Sequence, residues 1–303
     1  MPRFGSPAGA DTNRNQAFED RTTRAMKTIL IPSEDHASMQ AVLETARLVA
    51  QRFGSYMEGF AVYPTASDFV AVDPVSSLTI ASMQEGDEEI ERLAQGLFES
   101  FMQAHAVPPA KPGPAAYSYG WVRPAAHGDA LIGSHGRLFD LIVLGRPGRA
   151  PQDPRMPPLE AALFESGRPV LIAPATAPEV IGENVLVAWN GSTEQTRTTA
   201  FAMPLLRQAR EVTVLSVEGG MTPGPTGEEV AHYLRLNAVA ATAVTKAPGT
   251  RTTGEAILDH AKTHGCDLLV KGAYTQSRLR QMVFGGATRH ILASATLPVL
   301  MAH

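Results

Sequence analysis

An internal repeat constrains this chain more than any other feature of its sequence. Four segments of the first half match four of the second half in order, hydrophobicity and turn residues, and they are Ile29–Ile31 with Val185–Val187, Gly128–Ile132 with Gly254–Leu258, Asp140–Gly145 with Asp267–Gly272, and Pro169–Ala173 with Pro298–Ala302. Three of these pairs have nearly the same separation along the chain. The pair Ile29–Ile31 with Val185–Val187 is further apart than the other three, so the two halves share one plan and the first half carries an extra segment.

Each half contains five short apolar runs that predict strands buried on both faces. The predicted strands are Thr28–Pro32, Tyr56–Tyr63, Ala116–Val122, Leu141–Gly145 and Pro169–Ala173, then Asn184–Ala188, Glu211–Val217, Ala241–Lys246, Asp267–Lys271 and Pro298–Ala302. Helical patterns lie between most of them, at Ser38–Phe53, Glu88–His105, Ser192–Arg207, Glu228–Leu236, Gly254–Thr263 and after Gly286. This alternation predicts an α/β fold of two tandem doubly wound domains, each a five-stranded parallel sheet with helices on both faces.

The domain boundaries follow from composition. Residues 1–25 lack hydrophobic periodicity and predict a disordered leader, so that Met26 begins the ordered protein. Domain 1 covers residues 26–175 and domain 2 covers residues 183–303, with a Pro/Ala/Gly-rich linker between them. The extra segment of the first half falls around Pro64–Glu89.

Composition excludes several classes of protein. The 303 residues are 44% hydrophobic and 18% charged with a net charge of −4, which is typical of a soluble globular protein and argues against a nucleic-acid binder. No apolar run approaches the roughly 20 residues that a membrane span needs. The one cysteine, Cys266, excludes an intramolecular disulfide framework. We therefore expect a cytoplasmic protein without nucleic-acid or membrane partners.

Two loops of the second half carry the predicted chemistry. Ligands of open parallel sheets sit at the carboxyl ends of the strands. The loop after the first strand of this half reads Asn190-Gly191-Ser192, and Ser192 with Gln195 predicts a capping box. The loop after the fourth strand runs from Gly272 to Arg289.

The residue types of the longer loop suit an anion. Its glycines let backbone N–H groups approach phosphate oxygens, and Gly285-Gly286 opens a helix whose amino end is electropositive. Thr288 offers a hydroxyl group, and Arg278, Arg280 and Arg289 add positive charge. In the shorter loop, Asn190 offers both an acceptor and donors to a base or ribose.

From Met26 to Ala302 the sequence resembles the universal stress protein family, in its tandem two-domain form. The family motif G-x2-G-x9-G-[S/T] aligns with Gly272, Thr275, the spacer 276–284, Gly285 and Gly286, so Thr replaces the second glycine and Gly replaces the hydroxyl residue. The resemblance implies ATP, possibly with Mg²⁺, as the ligand of domain 2. The implied binding residues are Asn190, Gly191, Ser192, Val217, Gly272, Thr275, Arg278, Gly285, Gly286, Ala287 and Thr288.

The first half departs further from this motif. Gly145 and Gly148 are kept, but Pro158-Leu159 stands where the phosphate-binding pair belongs, and proline has no N–H to donate. Its first-strand turn, Ser33-Glu34-Asp35, is acidic and should repel phosphate unless a metal intervenes. We expect domain 1 to bind nucleotide weakly or not at all, and to pair with domain 2 through the fifth strands as a pseudo-dimer.

Three functions remain open from the sequence. The first is a stress-response or regulatory protein that binds an adenine nucleotide, with slow hydrolysis at most and an unidentified protein partner; a homodimer is also compatible. The second is a ligand-free dimerisation module, and the third, less favoured, is an adenylate-forming enzyme. No catalytic or metal residue is assigned, since His260 and His264 fit an exposed helix face better than a metal site.

Overall fold

The computed structural model describes residues 26–63, 77–124, 128–273 and 286–303, with the backbone alone in residues 77–85. Its strands are β1 Thr28–Ser33, β2 Tyr56–Ala61, β3 Ser118–Trp121, β4 Leu141–Gly145, β5 Val170–Ala173, β6 Asn184–Trp189, β7 Glu211–Val217, β8 Ala241–Lys246, β9 Leu268–Val270 and β10 Val299–Met301. Its helices are α1 Met39–Phe53, α2 Ser77–Ala104, α3 Asp129–Gly136, α4 Met156–Glu165, α5 Thr193–Gln208, α6 Gly227–Leu236, α7 Thr253–Thr263 and α8 Gly286–Ser294. The predicted leader lies outside the described residues.

The strands form one continuous sheet in the order β3-β2-β1-β4-β5-β10-β9-β6-β7-β8. The pairings within each half are parallel, and both halves have the same strand order. The halves join where β10 pairs antiparallel with β5, with Leu300 opposite Leu171. The prediction that the fifth strands bring the halves together is confirmed.

Helices cover both faces of the sheet, as predicted. One core cluster packs strand residues such as Ile31 and Val187 against α1, α2, α5 and α6. The other packs their neighbours Leu30 and Leu186 against α3, α4, α7 and α8. Since successive strand residues point to opposite faces, a strand covered on both sides must be apolar at every position. Within the described residues, no helix combines the length and hydrophobicity that crossing a membrane requires.

Two helix boundaries differ from the prediction. Helix α2 was expected at Glu88 and begins at Ser77. No proline interrupts the added segment, and its glycine costs a helix only about 1 kcal/mol. Pro204 lies inside α5, where proline commonly bends or ends a helix, yet the helix runs on to Gln208. The buried side chains of Leu205 and Leu206 hold this last turn against the core, which offsets the backbone hydrogen bond that proline removes.

An aspartate directly precedes the fourth strand of each half, and both aspartates accept hydrogen bonds from the start of the first strand. In the second half, the Asp267 carboxylate accepts backbone N–H bonds from Gly182, Glu183 and Asn184 at 2.6–3.1 Å. In the first half, Asp140 accepts bonds from the backbone of Lys27 and from Thr28. These bonds attach the start of the first strand to the fourth strand, so this part of the repeat reflects folding rather than ligand binding.

We predict that Asp267→Ala lowers the free energy of unfolding by about 2–3 kcal/mol, because three backbone N–H groups lose an ionised acceptor. Chemical denaturation measures this change. Asp259→Ala is the matched control: Asp259 forms ion pairs with Lys246 and Arg251 on the surface, and its loss should cost less than about 1 kcal/mol. Equal effects of the two substitutions would contradict the assigned role of Asp267.

Candidate functional site

A cleft of about 820 Å³ opens at the carboxyl ends of β6, β7 and β9, beside the first turns of α7 and α8. Its apolar walls are Ala188, Leu215, Val217 and Ile257. The predicted site residues that line it are Asn190, Val217, Gly286, Ala287 and Thr288. Gly191, Ser192 and Gly272 are not among its lining residues. The predicted Thr275, Arg278 and Gly285, with Arg280, lie outside the described residues.

The turn after β6 is held by its own side chains. The Asn190 Oδ1 accepts hydrogen bonds from the Ser192 backbone nitrogen at 3.2 Å and from the Ser192 hydroxyl group at 2.9 Å. Gly191 has a φ of +81°, which favours glycine, and a β-carbon there would collide with the Thr222 carbonyl oxygen. The side-chain carbonyl oxygen of Asn190 is therefore used within the turn. The NH2 group of the same side chain is the part that can reach a ligand.

Only half of the predicted capping box forms. The Ser192 hydroxyl group accepts from the Gln195 backbone nitrogen at 3.2 Å and so caps α5. The Gln195 side chain, however, accepts from the Gly272 backbone nitrogen at 2.7 Å and donates to the Val270 carbonyl oxygen at 3.4 Å. Gln195 is completely buried, so these bonds to β9 satisfy an amide that water cannot reach.

This contact gives Gly272 a different role from the predicted one. Its N–H group donates to Gln195 and is not free to bind a phosphate oxygen. A β-carbon at Gly272 would lie 2.6 Å from the Gln195 backbone nitrogen. Glycine is needed here because α5 approaches the end of β9 closely, rather than because the loop needs an unusual backbone angle.

Lys271 lines the cleft and was missed by the sequence analysis. Its side chain belongs to the face of the sheet covered by α7 and α8, and only 6% of the residue is exposed. The Nζ donates to the Gly272 carbonyl oxygen at 3.0 Å. Burial lowers the pKa of Lys271 to about 8, although the negative charge of Glu194 acts in the opposite direction. The repeat could have drawn attention to Lys271, since the matching residue of the first half is the apolar Leu144.

Helix α8 places its amino end against the cleft. Gly286 is exposed and Thr288 is buried at this end. The first backbone N–H groups of a helix have no partner within the helix, which favours an anion there. The helix packs closely on α7 at Gly254. A β-carbon at Gly254 would lie only 3.0 Å from the Ala287 carbonyl oxygen. Charged residues at the edge of the cleft are Glu218, Arg251, Glu255 and Arg289.

The family model described as universal stress protein family matches residues 182–303, which include every described wall of the cleft. This half of the chain is a universal stress protein domain.

Solved structures share the fold of the whole chain. A universal stress protein from Archaeoglobus fulgidus DSM 4304 superposes with a TM-score of 0.65 and 15% identity, covering 91% of this chain and 98% of that one. A functionally unknown protein from Pseudomonas aeruginosa superposes with a TM-score of 0.51 and 15% identity, covering 92% of both chains. A comparison with curated proteins found no match. The chain thus has a tandem layout in which the first half repeats the fold of the universal stress protein domain.

In the first half, charged side chains pair with one another at the position that corresponds to the cleft of the second half. Arg155, at the amino end of α4, donates to the Glu34 carboxylate at 2.7 Å and to both Asp129 carboxylate oxygens at 2.7 and 3.1 Å. Burial raises the pKa of Glu34, while the charge of Arg155 opposes that rise. The acidic turn was expected to repel phosphate; in the structure Glu34 is paired with an arginine instead. Weak or absent nucleotide binding by this half stays a prediction.

The structure corrects the assignment of the histidine pair on α7. His260 is only 4% exposed, so it does not belong to the predicted exposed helix face, whereas His264 is exposed as predicted. The two rings stack with their centroids 3.9 Å apart. The His264 Nδ1 lies 2.9 Å from the His260 carbonyl oxygen. In the part of the chain that is described, no cluster of three or more His, Cys, Asp or Glu residues is placed to hold a metal ion.

We predict that Lys271→Met stabilises the universal stress protein domain by about 2 kcal/mol at pH 7. A pKa of about 8 against an ordinary value of 10.5 means that folding disfavours the ammonium form. Methionine has similar length and no charge. Between pH 8 and 10.5 the unfolded chain binds more protons than the native protein, so native stability rises with pH and the advantage of the variant shrinks.

Chemical denaturation at pH 7 and pH 10 measures both effects. Lys262→Met is the matched control, since Lys262 is an exposed residue of α7 that does not line the cleft. Its stability should stay within about 0.5 kcal/mol of the native value. A Lys271→Met protein that is less stable than the native one at pH 7 would show that the ammonium group supports the fold.

Proposed function

We propose that this protein is a stress-response or regulatory protein whose second half binds an adenine nucleotide, with ATP as the expected ligand. The observation that carries the proposal is the cleft of about 820 Å³, which joins an apolar floor to the amino end of α8. Pockets for small ligands measure roughly 300–1,000 Å³ and combine apolar walls with a few polar groups. The position at the carboxyl ends of parallel strands is where such folds bind ligands.

The two ends of the cleft suit the two ends of a nucleotide. Leu215, Val217 and Ile257 offer apolar surface to a base, and the Asn190 amide stands beside them to reach a ribose or base edge. Gly286, Ala287 and Thr288 offer backbone N–H groups at a helix amino end, where phosphate oxygens are stabilised. Nucleotide occupancy would then bias α8 and the contacts of the domain with a protein partner.

We propose hydrolysis that is slow at most. Efficient phosphoryl transfer requires a bound metal ion, a residue that positions the nucleophile and a cation that stabilises the transferred charge, all aligned on one phosphate. A turnover assay at high protein concentration tests this point. Rapid release of phosphate would favour the enzyme alternative over a regulatory switch.

Titration calorimetry of the native protein with ATP and Mg²⁺, beside AMP and a buffer control, tests the central proposal. Saturable binding of ATP that is tighter than that of AMP is the expected result. Equal affinities for ATP and AMP would argue against a triphosphate site. No binding of either nucleotide would favour a ligand-free dimerisation module.

We predict that Gly286→Glu weakens ATP binding at least tenfold without destabilising the protein. Among the described residues, no atom lies within 4 Å of a β-carbon built at Gly286, so none of them blocks the start of a side chain there. A carboxylate suits the first turn of a helix but repels a phosphate group that binds there. Gly286→Gln has nearly the same size without the charge, so it should weaken binding much less. Equal losses for the two variants would point to steric blocking rather than to charge.

A further inference from the structure

The ammonium group of Lys271 lacks an anionic partner among the described residues. Its Nζ donates a hydrogen bond to a neutral acceptor, the Gly272 carbonyl oxygen. No carboxylate lies within ion-pair distance of it in the described part of the chain, and Glu194 acts on it only through its longer-range field. A buried cation without a counter-ion is costly, so its retention needs an explanation.

The place of Lys271 within the cleft supplies that explanation. Its side chain lies on the sheet face covered by α7 and α8, among the apolar walls Ala188, Leu215 and Ile257. Only 6% of Lys271 is exposed, and a charge interaction made away from water is stronger than one made in it. Both Lys271 and the first turn of α8 line the same cleft, so two groups that attract anions face one ligand space.

The repeat provides an internal comparison. In the first half, Leu144 stands at the position of Lys271 and is packed in the core. At the carboxyl ends of the strands in that half, the arginine Arg155 already has two carboxylate partners, Glu34 and Asp129. The same fold therefore forms without a buried cation on the fourth strand. The fold itself therefore does not require a cation at this position, and the ammonium group of the second half has no carboxylate partner among the described residues.

We propose that Lys271 is the anion-recognising residue of the cleft and that its ammonium group binds a phosphate group of the ligand between β9 and the first turn of α8. This inference rests on the proposed nucleotide binding and goes beyond it. It names a binding residue outside the glycine-rich loop and makes the phosphate group, rather than the base alone, a condition for tight binding.

Binding should be linked to the protonation of Lys271. A bound phosphate group favours the charged amine, so ligand binding raises the pKa of Lys271 above its value of about 8 in the free protein. Among the described residues, the other charged or titratable groups around this space are Glu194 on α5, Glu218 after β7, Arg251 and Glu255 at α7, and Arg289 and His290 on α8. A His290→Gln protein controls for the imidazole.

The test is titration calorimetry of the full chain with ATP and with adenosine at pH 8.5, in two buffers of different ionisation enthalpy. The native protein should take up a fraction of a proton with ATP and none with adenosine. Lys271→Met should bind ATP about 10- to 100-fold more weakly, take up no proton, and bind adenosine with native affinity, because it lacks one charge-assisted hydrogen bond. Lys262→Met should behave as the native protein does.

The outcomes separate this inference from the proposal beneath it. Native affinity for ATP and native proton uptake in Lys271→Met would overturn the role of Lys271 and leave nucleotide binding intact. A native protein that binds no ATP would overturn both. Folding of the variant is checked by its thermal midpoint, which should be at or above the native value. Proton uptake by the native protein needs no variant, and its absence at pH 8.5 also counts against Lys271.

Discussion

The antiparallel pairing of β5 with β10 is the interaction on which the rest of the architecture depends. It joins two parallel sheets into one and covers an edge of each, which would otherwise present unpaired backbone groups. It also brings the loop after β4 to the second half, where the Arg146 guanidinium donates to the carbonyl oxygens of Leu292 and Ala293. A cation at the carboxyl end of α8 complements the helix dipole, so the first half supports the helix whose other end lines the cleft.

The two halves show how one fold separates structural from binding roles. Both retain the acidic residue that ties the first strand to the fourth, because that contact serves the sheet in each half. They differ at the carboxyl ends of the strands. The first half fills this region with the pairing of Glu34, Asp129 and Arg155, whereas the second half leaves a cleft and keeps a cation, Lys271, without an anionic partner.

Close packing around β9 determines which groups of the second half remain available to a ligand. The Gly272 N–H group donates a hydrogen bond to the Gln195 side chain. The side-chain carbonyl oxygen of Asn190 accepts a hydrogen bond from the Ser192 hydroxyl group. The loop glycine nearest the sheet therefore supports packing. Among the described residues, the lining of the cleft includes Asn190, Lys271 and the first turn of α8. Burial of the Lys271 amine disfavours its charged form.

The resemblance to the family implied the meeting of the fifth strands, which the structure shows. The sequence alone determined the repeat, the α/β class and the positions of the strands, because strands buried on both faces must be continuously apolar. It also placed Asn190, Val217 and the start of α8 at one edge of the sheet, since parallel strands end together. The tertiary structure decided what the alternation of side chains cannot show: that Gln195 reaches β9, that Arg155 pairs with Glu34, and that Lys271 lies inside the cleft. Those contacts join residues far apart in sequence, and their geometry is set by how closely helices approach the sheet.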